Sequence, residues 1–104
     1  MPALTPDEIA CVTELLPLWR VEAGAVSRTL IFKDAKTAIG FIIDVSVEAL
    51  ALGTAPDWLT NAGVVTVRLA TPDVGEITAV DLQLLRAIDA AAVRRADRMV
   101  QLQA

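Results

Sequence analysis

The sequence predicts an α+β fold: a four-stranded antiparallel sheet with three helices packed on one face, in the order α-β-β-α-β-β-α. Three observations carry this expectation. Two period-two segments, Trp19–Glu22 and Val26–Phe32, are joined by the short turn Ala23-Gly24-Ala25 and read as a hairpin. Two Thr-x-x-acid signatures, Thr5–Glu8 and Thr78–Asp81, mark helix starts. Hairpin-linked strands mixed with helices favour an antiparallel sheet covered on one side. All 104 residues are expected to form one domain, with no repeat or linker.

The first helix is expected from Pro6 to about Leu16. Thr5 supplies the cap, Pro6 the first helical position and Glu8 the reciprocal acceptor, and Pro17 helps to stop it. In the second strand, Val26, Arg28, Leu30 and Phe32 share one face, with Ser27, Thr29 and Ile31 on the other. Asp34 caps the second helix, Ala35 to about Leu52. Its residues Ile39, Phe41, Ile42, Ile43, Val45, Val47 and Leu50 occupy much of the circumference. A helix this apolar is expected to be covered on more than one side, which points to a second copy of the chain.

Gly53 to Asn61 reads as a loop and Gly63 to Ala70 as the clearest strand, with Val65, Val67 and Leu69 alternating. A turn follows at Pro72-Asp73-Val74-Gly75. Glu76-Ile77 is a short strand or the approach to the last helix. That helix is expected to reach about Gln101, burying Leu82, Leu85, Ile88 and Ala92.

Composition narrows the function. The chain is 55% apolar, above the roughly 45–50% of typical globular chains, so apolar surface is left for a partner. A net charge of −4 argues against nucleic acid. Arg94, Arg95 and Arg98 are the one basic cluster noted. Placement against the negative end of a helix is preferred to anion binding for them, although they stay candidates for partner contact. Lys36, Asp44 and Glu48 interrupt the longest apolar region, so no membrane span is expected. No basic stretch precedes an apolar run at the N-terminus, and a cytoplasmic location is expected. Cys11, the only cysteine, reads as a small buried apolar residue, and no metal or cofactor is expected.

The chain has no histidine. The usual general base near neutral pH is therefore absent, and Ser-His or Cys-His nucleophile pairs are excluded. No glycine cluster precedes a helix, so a phosphate loop is not expected. Asp81 is explained as the acidic partner of a helix cap. Trp58 reads either as an interface anchor or as a lid on the domain's own core, since Trp buries a large area with little rotamer entropy.

Several segments together resemble the pterin-4a-carbinolamine dehydratases. They are Leu4-Thr5-Pro6-Asp7-Glu8-Ile9, Trp19, Arg28-x-Leu30-x-Phe32-x-Asp34, Pro56-Asp57-Trp58, Val65-x-Val67-x-Leu69-x-Thr71 and Gly75-Glu76-Ile77-Thr78-x-x-Asp81. The likeness runs over about residues 4–90. It implies the fold above, assembled as a dimer or tetramer, and acid-base dehydration of a hydroxylated tetrahydropterin at three histidines. Here the His-His-Pro run reads Thr54-Ala55-Pro56, the later histidine falls on Pro72, and an expected aromatic falls on Ala62. Thr54, Ala55, Pro56, Pro72 and Asp81 are thus the positions of the pterin site, and no catalytic residue is expected among them.

Histidine-lacking chains of this kind resemble the assembly factors of Rubisco found with α-carboxysomes. That resemblance implies a protein that is not an enzyme, a homodimer (a tetramer is the alternative), and the Rubisco large subunit as partner. The alternatives are a dehydratase with a rearranged, histidine-free site and a pterin-binding or regulatory cofactor protein.

Overall fold

A computed structural model describes residues 5, 7–8, 18–22, 24–70 and 77–100. Within them the chain runs β1 (Arg20–Glu22), β2 (Ala25–Ile31), α1 (Ala35–Leu52), β3 (Asp57–Asn61), β4 (Val64–Leu69) and α2 (Ala79–Arg94), followed by a 3₁₀ turn at Ala96–Arg98. The four strands form one antiparallel sheet in the order β1-β2-β4-β3. The α+β class and the four-stranded sheet are as the sequence predicts. Two α-helices, not three, lie among the described residues. The predicted first helix has its start there: Thr5 N–H donates to Glu8 Oε1 at 2.9 Å, and Glu8 N–H to Thr5 Oγ1 at 3.2 Å. Its remainder, with Cys11 and Pro17, lies outside the described residues, as does the predicted turn Pro72–Gly75 with Glu76.

The fourth strand is not where the sequence places it. Asp57–Asn61, read as part of a loop, is β3, paired along its length with β4 from Asp57↔Arg68 to Asn61↔Val64. Its sequence hides this because β3 is an edge strand carrying polar residues on both faces, so no clean alternation shows. A tight turn through Ala62 and Gly63 joins it to β4. Ala62 takes the left-handed conformation (φ 56°), which costs a non-glycine residue roughly 1–2 kcal/mol. A Cβ on Gly63 would sit 2.5 Å from the Phe32 carbonyl oxygen, so only glycine fits.

One face of the sheet packs on the helices. Val26, Leu30, Val65, Val67 and Leu69 meet Phe41, Val45 and Ala49 of α1 and Leu84, Leu85 and Ile88 of α2 in one core. Arg28 shares that face. It enters the core's edge only because Asp89 of α2 accepts from its Nη1 at 2.6 Å and from Trp19 Nε1 at 3.0 Å, which satisfies charges that burial would otherwise penalise. The opposite face mixes Thr29, Thr66 and Arg68 with Ile31, Leu59 and Val64, and the Thr29 and Thr66 hydroxyls lie 3.0 Å apart across the strands.

Both helices have defined ends. Asp34 accepts from the Thr37 N–H at 2.7 Å, and Gly53 closes α1 in the left-handed conformation (φ 74°). α2 ends at Arg94, short of the expected Gln101. The chain then turns back, so that Val100 N–H donates to the Ile31 carbonyl at 2.7 Å and Lys33 N–H to the Arg98 carbonyl at 2.8 Å. Continuing the helix would have left these carbonyl and amide groups at the end of β2 without those partners.

Candidate functional site

α1 and α2 run antiparallel, since Arg95 and Arg98, just beyond the end of α2, lie beside Asp34, Lys36 and Gly40 at the start of α1, and Arg95 reaches Asp44 in its middle. The end of α1, the start of β3, the end of β4 and the start of α2 therefore gather at one end of the domain. This topology places Thr54-Ala55-Pro56, which link α1 to β3, and Asp81, at the start of α2, toward the same end of the domain. The Thr54 N–H is fixed by the Ala49 carbonyl at 3.1 Å. Thr54 and Pro56 are half-buried and Ala55 is exposed. Pro72 lies outside the described residues.

Asp81 is 1% exposed. Its Oδ2 accepts from the Thr78 N–H at 2.9 Å, and the Thr78 side chain accepts from the Asp81 N–H, closing a capping box. Thr78 is itself fully buried. The helix-cap role read from the sequence is therefore present in full. The same geometry fixes a buried carboxylate in one orientation at this end of the domain. Such a group can exchange protons with a bound molecule or accept a hydrogen bond from it. Among the described residues, no cluster of three or more cysteine or acidic side chains is placed to hold a metal ion.

Trp58 stands on β3, not in a loop. It pairs with Val67 and lies on the helix-facing side of the sheet. Its ring meets Phe41 edge-on, with centroids 6.1 Å apart and planes at 85°. Trp58 thus covers the edge of the core while staying half-buried. The exposed neighbour is Leu59, on the opposite face at 74% exposure.

The three arginines separate. Arg94 is exposed on the last turn of α2. Arg95 folds back over α1 to Asp44, and its Nη1 lies 3.5 Å from the Ala91 carbonyl. Arg98, in the 3₁₀ turn, joins Arg95 beside the start of α1. All three lie at the far end of the helix pair from Asp81.

The surface that the sequence leaves without a core to join is on α1. Ile39, Ile43, Val47 and Leu50 fall on one stripe, exposed at 56, 57, 61 and 81%. Phe41, Val45 and Ala49 supply the buried side of the same helix. The all-round apolar character legible in the sequence is therefore two faces, one against the sheet and one uncovered. Among the described residues, no helix is long and apolar enough to cross a membrane.

A family model described as pterin 4 alpha carbinolamine dehydratase matches residues 2–91. A protein of Synechococcus sp. (strain WH7803) is 37% identical over 86% of this chain and 98% of its own length. A protein of Rhodopseudomonas palustris (strain BisB18) is 35% identical over 91% of this chain and 96% of its own. Both carry the name "Putative pterin-4-alpha-carbinolamine dehydratase". Among solved structures, the transcriptional coactivator/pterin dehydratase from Brucella melitensis is similar at a TM-score of 0.83 and 31% identity. That match covers 88% of this chain and 99% of that one. These relatives overturn the expectation that the chain is not an enzyme. They are named for an enzymatic activity along nearly their whole length, and the absence of histidine is not evidence of a dismantled site.

Proposed function

Because the chain belongs to the pterin 4 alpha carbinolamine dehydratase family, we propose that this member acts as an assembly factor for another protein, with the Rubisco large subunit as partner. The role is added to the family's chemistry and does not stand in its place. The observation that carries a protein-binding role is the uncovered stripe Ile39, Ile43, Val47 and Leu50 on a helix whose other face already fills the core. Four large apolar side chains aligned on one helix face favour burial against protein. A second copy of the chain is the first occupant, giving a homodimer that presents its remaining surfaces twice. The choice of Rubisco rests on the family likeness together with Thr54, Ala55 and Pro72 standing where the family's histidines are expected. Co-expression of cognate Rubisco with and without this chain tests it. More assembled enzyme and co-purification are expected, and an unchanged yield would remove the proposal.

A second reading is the dehydration itself, favoured by relatives 35–37% identical over most of the chain. Loss of the hydroxyl from a carbinolamine requires a proton delivered to the departing oxygen and one removed from the ring nitrogen. Asp81 is the described carboxylate held at the right end of the domain, and Thr54 offers a hydroxyl nearby in the chain path. Stopped-flow absorbance with the carbinolamine tests this. Dehydration faster than the spontaneous rate, lost in Asp81→Ala but kept in Arg94→Ala, is the expected result.

A further inference from the structure

At the end of the helix pair opposite Asp81, the start of α1 and the turn after α2 border an open cleft of about 410 Å³. Four of the chain's nine basic residues line it: Lys33, Lys36, Arg95 and Arg98. In a protein with a net charge of −4, that concentration sets this corner apart from the rest of the surface. The carboxylates that adjoin it are already engaged. Asp34 accepts from the Thr37 N–H, and Asp44 is paired with Arg95. Among the described residues, Lys33, Lys36 and Arg98 have no ion-pair partner. Four cations against Asp34 and Asp44 leave a surplus of two positive charges.

We propose that this cleft binds a small phosphorylated molecule, with Lys33, Lys36 and Arg98 on the phosphate and Arg95 as the fixed base of the site. The charge surplus matches a phosphate monoester, which carries about −1.5 to −2 at neutral pH. Arg98 offers a planar fork suited to two phosphate oxygens, and the two lysines add point charges from a second element. The start of α1 borders the same space, with the Thr37 N–H already taken by the Asp34 carboxylate. The carboxyl of Asp34 is held below its ordinary range chiefly by the Thr37 backbone N–H and side chain, with Arg98 and Lys36 adding to the effect. The two cations therefore already act on a negative charge at this point. The volume lies within the roughly 300–1,000 Å³ of small-molecule sites, enough for a phosphate with a small organic body.

Backbone amide NMR on the isolated protein tests this independently of Rubisco and of turnover, with pyrophosphate as the probe. Saturable shifts confined to residues 33–40 and 95–98 are expected. Lys36→Ala and Arg98→Ala should each weaken binding roughly three- to tenfold, and Arg94→Ala, outside the cleft, should leave it unchanged. Lys36→Gln keeps the length of the side chain and should behave like Lys36→Ala; the dispersion of each spectrum shows that the variant is folded. Citrate should bind several-fold more weakly than pyrophosphate. Equal binding of citrate, shifts spread over the surface, or an equal loss in Arg94→Ala would overturn the proposal.

Discussion

Asp81 carries two roles on one side chain. As the reciprocal partner in the α2 capping box it holds the Thr78 N–H, and in the dehydratase reading it faces the reacting molecule. Replacing it with alanine removes a buried acceptor and is expected to cost about 1–3 kcal/mol of stability in urea unfolding. Asparagine should recover most of that cost while leaving any acid-base activity impaired. Asp34 caps the other helix and behaves differently with pH. Its folded-state carboxyl lies below its ordinary value, chiefly through Thr37. Its contribution is therefore fully present above the unfolded pKa and lost as pH falls through the folded one. Asp34→Asn, which can still cap, is expected to lower neutral stability by the part the charge contributes and to leave stability well below about pH 4 nearly unchanged, flattening the acid limb of the stability curve. Both caps were legible in the sequence, because a cap is local chemistry at fixed spacing.

At the scale of elements, α1 and β3 show what sequence reading reaches and what it misses. The length of α1, its Asp34 start and its Gly53 stop all follow from local signals, and the structure agrees with Ala35–Leu52. The two-sided apolar pattern was also visible. Which side faces the sheet was not, because that depends on where β4 lies. β3 was missed because an edge strand with polar side chains on both faces offers no period of two, and the Ala62-Gly63 turn that pairs it with β4 lacks the usual Asn-Gly or Asp-Gly hairpin signal. Trp58 shows the same limit: its packing on Phe41 follows from the strand, not from the residue. The uncovered face of α1 yields a direct expectation. Ile43→Asp, which places a charge in the middle of the stripe, should convert the proposed dimer to monomer in light scattering at micromolar concentration while keeping the circular dichroism of the fold. A wild-type monomer would contradict the assignment of a second copy to that face.

At the scale of the whole molecule, the proposed roles fall on different ends and faces of the domain. Thr54, Ala55, Pro56 and Asp81 gather where the family's chemistry is expected. The basic cleft of Lys33, Lys36 and Arg98 lies at the other end. The apolar stripe of α1 runs along the helix between them. The missing histidines were plain in the sequence, but they did not license the conclusion that the chain is no enzyme. Absence of one residue type excludes particular mechanisms, not an activity that carboxylates and hydroxyls can support. The most direct test of the assembly role is the yield of assembled cognate Rubisco on co-expression, measured by native gel and carboxylation assay, with wild-type chain, Ile43→Asp and no chain. A higher yield with the wild-type chain, reduced toward the baseline by Ile43→Asp, is the predicted result. The same yield in all three would contradict it.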